Sequence, residues 1–303
     1  MGSNCSTVFI LPCAGFFLSP FLSSSPANRN PTSSAQLGEL PENCAALILS
    51  HLDLPDICNL SRINKSFRSA SWADLVWESK LPLNCNDLAA RVLSNNTGNP
   101  KSLKREIYSG LCKKNTFDGD TKRAWLHNQT GQLCVSVSAK GLQITGIEDR
   151  RYWSYIPSNQ SRFGYVAYLN QTWWLEATAQ MEMPFPAGTY SVYFRLHLGR
   201  QGKRFGMQAC HVEHVHGWGV KPARFQLNTS DGHHVSSQSF LSETGKWKMY
   251  HSGDFFVDGS KQTTSVNISM TQIDCTHTKG GLCIDSVFVL PCTYPIHDWS
   301  KLF

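Results

Sequence analysis

The sequence has no uninterrupted apolar run of roughly 18 residues or more, so no membrane-spanning helix is expected. It has no dense run of Lys or Arg. A net charge of +6 spread in this way describes a solvated basic face, and no nucleic-acid partner is expected. No G-x-S-x-G, P-loop, dinucleotide fingerprint or H-E-x-x-H occurs. The adjacent carboxylates Glu148 and Asp149 lack the spacing of a glycosidase pair, and a turn paired with Arg150 or Arg151 is expected instead. A non-catalytic chain follows. Repeated cysteine spacing is also absent. Eleven Cys is an odd number, which argues against a disulfide framework and for buried small hydrophobes in a reducing compartment, cytoplasm or nucleus. Cys210, His211, His214 and His216 offer metal-ligand types, as do Cys275, His277 and Cys283, but neither group has the spacing of a fixed tetrahedral set. A polar loop flanking Trp218 is expected, with neither metal nor cofactor.

The first 36 residues are poor in acidic groups and lack the basic stretch that precedes the apolar run of a secretory signal. Val8 to Leu22 is apolar and broken by Pro12 and Pro20, and a Ser/Pro/Asn-rich stretch follows. Three readings stand: an organelle transit peptide, an acylated start, and an unmodified disordered leader, the simplest of the three. Met1-Gly2-Ser3-Asn4-Cys5-Ser6 fits the myristoylation pattern with Gly2 as acceptor, and Cys5 offers a second acyl site. One chain gives marginal binding, so without Cys5 acylation or a basic patch the anchoring is expected to be reversible.

Apolar and aromatic residues are plentiful. Hydrophobic residues make up 41% of the chain, enough for a sizeable core, and nine Trp with sixteen Phe suit β-rich packing or an aromatic binding surface. From Leu40 the pattern becomes helical. Pro41 and Glu42 suit a first turn, and Cys44, Leu47, Ile48 and Leu52 recur at helical spacing. Asp53-Leu54-Pro55-Asp56 restarts a helix with the stripe Ile57, Leu60, Ile63 and Phe67. Ser71-Trp72-Ala73-Asp74 reads as a capping box for a third short helix with Leu75, Val76 and Trp77. Three such helices over 37–84 make too small a core to stand alone, so their surplus apolar groups are expected to meet a partner.

The run Leu40 to Leu81 resembles the F-box motif. The match includes Leu40-Pro41, Leu47-Ile48, Leu52-Asp53, Pro55-Asp56, Leu60-Ser61, Phe67-Arg68 and Trp77, with Phe67 where many members carry Trp. The resemblance implies docking to the SKP-type adaptor of a cullin-RING ubiquitin ligase, with Leu40, Pro41, Ile48, Leu52, Pro55 and Ile57 as contact positions.

Residues 85–116 read as a helical linker, broken at Asn95 to Pro100. After Asp118-Gly119 the period becomes two. Leu175 to Met183 and Tyr190 to Leu198 alternate and are expected to pair as a hairpin around the Pro184–Gly188 turn. Phe225–Leu227, Val266–Met270, Leu282–Ile284 and Val287–Val289 add strands, separated by Ser230-Asp231-Gly232, Asp258-Gly259 and Lys279-Gly280-Gly281. The expected fold class is α+β multidomain, a small three-helix unit followed by an all-β sandwich over 117–291 and a tail over 292–303.

Lys140 to Ile144, Arg151-Tyr152-Trp153, Thr172 to Glu176 and Gly188 to Phe194 look like the phloem protein 2 domain of plants, a family that includes lectins. With the F-box and Gln272 to Cys283, the whole chain resembles the A13-like F-box phloem protein 2 subgroup. That resemblance implies a jelly-roll-like sandwich and binding of a glycoprotein or an N-acetylglucosamine-type glycan. Trp153 matches a sugar-platform position, with Arg151 and Trp173 as further carbohydrate-binding positions, while Trp174 is expected in the core. Thr145 stands where several lectin members carry a second Trp. The first reading is a ligase substrate receptor. A stand-alone intracellular carbohydrate-binding protein and a sandwich that binds protein without sugar are the alternatives.

Overall fold

The computed structural model describes residues 40–93, 103–128, 130–204 and 207–294. Gly2 and Cys5 lie outside them. Helices come first: α1 (Glu42–Ser50), α2 (Leu54–Leu60), α3 (Lys65–Ala70), α4 (Asp74–Glu78), α5 (Cys85–Val92) and α6 (Lys104–Leu111). Strands follow: β1 (Asn115–Phe117), β2 (Lys122–Leu126), β3 (Leu133–Ser138), β4 (Gln143–Ile144), β5 (Trp153–Pro157), β6 (Tyr165–Leu169), β7 (Leu175–Met183), β8 (Gly188–Leu198), β9 (Arg200–Arg204), β10 (Met207–His211), β11 (Ala223–Thr229), β12 (His234–Ser239), β13 (Trp247–Val257), β14 (Thr264–Gln272) and β15 (Leu282–Pro291).

The helix starts follow the local chemistry. Pro41 takes the extended cap position before α1 and Glu42 sits in its first turn, where a carboxylate complements the helix dipole. Pro55 falls in the first turn of α2. Asn64 caps α3 by accepting from the Phe67 N–H at 2.8 Å. The expected capping box at Ser71 does not form. Ala73 holds the cap position of α4, and Ser71 Oγ donates back to the Arg68 carbonyl at 2.8 Å, a local bond that competes with capping.

Ala45, Ala46, Leu49, Ile57, Phe67, Val76 and Trp77 bury against one another. Residues 85–116 do more than link. Tyr108 of α6 meets Trp77 at 5.4 Å between ring centroids, and Leu88, Val92 and Leu111 join one continuous core that runs from the helices into the sandwich. Asn84 Nδ2 donates to the Gln262 carbonyl at 2.7 Å, a direct tie between the helices and the β13–β14 connection.

The strand pairs of the sandwich are antiparallel, and an isolated parallel bridge joins Leu198 to Thr244. One sheet runs β1-β2-β3-β15-β6-β5, with β8 lying between β15 and β13; the other runs β12-β11-β14-β7-β4. Along one edge β15 pairs with β6 through Cys283–Ile284 and with β3 through Ser286–Val289, while its other edge pairs with β8. The expected hairpin of β7 and β8 does not exist. β7 pairs with β14 and β4, β8 with β13 and β15, and the residues between them cross from one sheet to the other. Alternation fixes which side chains share a face and says nothing about which strand lies alongside. β7 keeps its alternating burial, whereas β8 is covered on both faces from Tyr190 onward. β13 bulges between His251 and Gly253. Gly253 has φ +153°, and a Cβ there would come within 2.7 Å of Val235, so glycine lets the two sheets approach.

The cysteines depart from expectation. Cys85, Cys134 and Cys283 are buried, but Cys44, Cys58, Cys210, Cys275 and Cys292 are exposed; the nine described thiols are unpaired.

Candidate functional site

Two surfaces stand out. The first is the outer face of α1. Residues 44, 47 and 48 share one helical face, and 45, 46 and 49 share the opposite one. Small Ala45 and Ala46 with Leu49 turn inward, which leaves Leu47 55% and Ile48 41% exposed. The helix cannot roll to hide them, because both ends are fastened. Ser66 Oγ donates to the Leu40 carbonyl at 2.9 Å and Ser69 Oγ to Glu42 Oε1 at 2.7 Å. At the far end Ser79 Oγ and Lys80 Nζ both donate to the Ser50 carbonyl, at 3.0 and 2.9 Å. Burying the exposed part of each side chain would contribute roughly 1 kcal/mol.

Of the six adaptor-contact positions, Pro41, Ile48 and Pro55 are exposed, and Leu40 and Leu52 are half-buried against the helical core. Ile57 is buried and belongs to that core, which removes it from the contact set. The structure adds Leu47, Ile63 and Leu75 as exposed apolar side chains. Leu47 was legible as part of the α1 stripe. Ile63 was read as continuing the helical stripe of Ile57 and Leu60, but α2 ends at Leu60 and Ile63 lies beyond it.

The second surface lies at the edge of the five-stranded sheet. Trp153 opens β5 and is only 1% exposed; its Nε1 donates to the Thr145 carbonyl at 3.2 Å. A ring buried on both faces offers no platform, so the sugar-platform role is corrected to one of support: Trp153 holds the 145–152 loop from behind. Within that loop Arg151 grips Asp149, Nη2 to Oδ2 at 2.7 Å and Nε to Oδ2 at 3.0 Å. The Arg151 side chain holds the Asp149 carboxyl below its usual range. Arg151 is exposed but committed to its neighbour.

The loop, β4 and the adjoining stretch of its neighbour β7 line a pocket of about 430 Å³. Gln143, Thr145, Glu148, Glu176 and Thr178 supply its polar groups, and Leu142, Ile144 and Ile147 its apolar ones. Trp174 reaches one of the lining residues, its Nε1 donating to Glu176 Oε2 at 3.4 Å. It is 44% exposed, against the expectation that it is core, and Trp173 beside it is exposed as well. Both can be exposed because the chain at 172–174 is a turn before β7, closed by Thr172 Oγ1 donating to the Trp174 carbonyl at 2.9 Å. Strand alternation does not yet apply there. Such a pocket suits a hydroxyl-rich ligand: amides, hydroxyls and carboxylates take ring hydroxyls, and aliphatic walls with an indole pack against C–H faces. Two carboxylates disfavour an acidic sugar by like-charge repulsion.

Lys279 was missed in the sequence. It is fully buried, and Nζ donates to the carbonyls of Trp173, Gln272 and Asp274 at 2.7, 3.1 and 3.1 Å. It fastens the tryptophan turn to the end of β14. Burial pushes its pKa down. In the sequence it read only as the first residue of the Lys279-Gly280-Gly281 turn. His211 at the end of β10 lies 3.7 Å from Glu213, and His216 Nδ1 lies 2.9 Å from the His214 main-chain carbonyl.

Comparison with known proteins agrees with this architecture. Residues 37–79 match the F-box domain family and residues 132–291 the Phloem protein 2 family. The chain is 56% identical over 256 residues to F-box protein PP2-A11 of Arabidopsis thaliana, covering 84% of this chain and 88% of that protein. It is 54% identical over 257 residues to F-box protein PP2-A12 of the same plant, covering 84% and 87%. With F-box protein PP2-A13 the identity is 52% over 257 residues, covering 84% and 88%. A helical F-box whose first helix shows an apolar face, joined to a curled antiparallel sandwich of this topology and matched along most of its length, belongs to the phloem protein 2 family of F-box proteins.

Proposed function

We propose that this chain is the substrate-recognition subunit of an SCF-type cullin-RING ubiquitin ligase, with the F-box docking to an SKP-type adaptor and the sandwich holding a glycan-bearing target. The observation that carries the reading is the outward pair Leu47 and Ile48 on a helix fastened at both ends. An exposed, rigid apolar face loses little conformational entropy on binding, so more of its burial energy appears as affinity. Catalysis then belongs to the recruited ligase. This polypeptide contributes proximity, raising the effective concentration of target lysines near the ubiquitin-carrying enzyme.

The pocket bounded by Gln143, Thr145, Glu148, Glu176 and Thr178, with Trp174 bonded to Glu176, is the glycan site of this proposal. Its chemistry favours a neutral sugar such as an N-acetylglucosamine-type residue. The working compartment is the cytoplasm and nucleus, with membrane association only if Gly2 and Cys5 are acylated.

Affinity capture of the full-length protein from plant cells with the proteasome inhibited tests the reading. The wild type is expected to recover adaptor, cullin and glycoproteins. Ile48→Asp with Leu47→Asp is expected to lose adaptor and cullin and keep glycoproteins, and Glu176→Gln with Trp174→Ala the reverse. Glycoprotein recovery without adaptor in the wild type would favour a stand-alone carbohydrate-binding protein.

A further inference from the structure

On the helical unit, away from the sugar-type pocket, α3 and the turns flanking it enclose with α6 a recess of about 630 Å³. Arg62, Lys65, Arg68 and Arg105 line it together with Asn64 and Trp72, and no carboxylate does. The ion pairs among the described residues engage other cations, so no described carboxylate neutralises any of these four. Arg105 is held in a fixed orientation. Its guanidinium carbon lies 3.6 Å from the centroid of the Trp72 ring and 5.8 Å from that of Trp77. Stacking consumes the flat face of a guanidinium and leaves its in-plane N–H edges to bond. One of those nitrogens, Nη1, is buried without a hydrogen-bond partner. An unpaired buried donor of this kind is costly unless an acceptor is supplied.

We propose that this recess binds a small molecule carrying two or more phosphate groups. The charge argues for it: four cations line the recess and no described carboxylate pairs with them, and a phosphate monoester carries about −1.5 to −2 at neutral pH, so two phosphates balance the site. Size agrees, since roughly 300–1,000 Å³ is the range of small-molecule sites and a single phosphate would leave most of the recess empty. Residue type agrees too. Three arginines offer forked donors that match phosphate oxygens in pairs, and Lys65 adds a point charge. The stacked Arg105 is preorganised, so the ligand need not order it.

Calorimetric titration of the purified full chain with inorganic tripolyphosphate, beside inorganic monophosphate and a short glutamate oligomer, tests the site. Saturable one-to-one binding of tripolyphosphate is expected, at least about tenfold tighter than monophosphate and weakening steeply as salt rises. Lys65→Ala with Arg68→Ala is expected to weaken it by about tenfold or more, and Arg105→Lys, which keeps the charge and loses the fork, by several-fold. Lys65 and Arg68 are exposed, so circular dichroism and the melting temperature of that variant should match wild type. Leu47→Asp should leave tripolyphosphate binding unchanged, which separates this site from the adaptor-docking face. The proposal is overturned if no saturable binding appears, or if binding is unaltered by the Lys65/Arg68 and Arg105 variants. It is equally overturned if the glutamate oligomer binds as tightly with the same sensitivity, which would make the recess a seat for an acidic protein segment.

Discussion

At the scale of single residues, tryptophan illustrates how little residue type says about role. Trp153, Trp173 and Trp174 all come from stretches that resemble a lectin domain, yet one is buried and two are exposed. A sequence match assigns a position in a family pattern; exposure depends on what packs around the ring, which here includes the Thr145 carbonyl from a different segment. The two kinds of Trp should respond oppositely to truncation. Trp153→Ala is expected to cost about 3–5 kcal/mol of stability, the usual range for emptying a large core site. Trp174→Ala is expected to leave stability within about 0.5 kcal/mol while weakening glycan binding by roughly 2- to 10-fold. Chemical denaturation of both variants and a glycan titration of the second check this. Lys279 was illegible for a similar reason, since its three acceptors come from two segments about a hundred residues apart in sequence. Lys279→Met is expected to cost about 3 kcal/mol or more, because three carbonyls, the Gln272 one buried, lose their donor.

At the scale of elements, the sequence reports faces well and neighbours poorly. The strands at Leu175 and Tyr190 were both legible, as was the outward stripe of α1, because period two and period 3.6 are local properties. Pairing is not local. β8 lies between β13 and β15, and its second covered face carries Ser191, Tyr193, Arg195 and His197. On that face Arg195 Nη1 meets Asp285 Oδ2 of β15 at 2.9 Å, and Trp247 of β13 lies 4.2 Å from the guanidinium. Asp285→Ala is therefore expected to destabilise the sheet by about 3–5 kcal/mol, since it strands a buried cation. Adding Arg195→Met should recover most of the loss. A midpoint that stays low in the double variant, measured by urea denaturation, would show that other contacts of Asp285 dominate.

At the scale of the whole molecule, the continuous core matters most. The helices were read as too small to stand alone, and the structure gives them support from α5, α6 and the sandwich. A fragment of residues 37–84 lacks Tyr108 and Leu111 and is expected to show no cooperative thermal transition by circular dichroism. The excess apolar surface on α1 remains after this support, which is why partner docking survives as the reading. The arginine-lined and sugar-type recesses were not legible, because each is completed by a second segment, Arg105 in the first and Glu176 with Thr178 in the second.

Protonation also acts globally. Burial lowers the pKa of His197 and of His127 from 6.5. For a base depressed in the folded state, the unfolded chain takes up the proton first as pH falls below 6.5. Unfolding free energy should therefore be highest above that value and decline as pH drops through the window beneath it. His197→Gln is expected to flatten this slope, as followed by thermal denaturation across pH.

The central claim is that Leu47 and Ile48 form the face on which an adaptor settles, and affinity measured between purified components tests it most directly. Calorimetric titration of the full chain with a purified SKP-type adaptor should show saturable one-to-one binding with a negative heat-capacity change. Leu47→Asp with Ile48→Asp should weaken that binding by about a hundredfold or more without changing the melting temperature. An adaptor that fails to bind the wild type, or that binds the doubly charged variant equally well, would contradict the account.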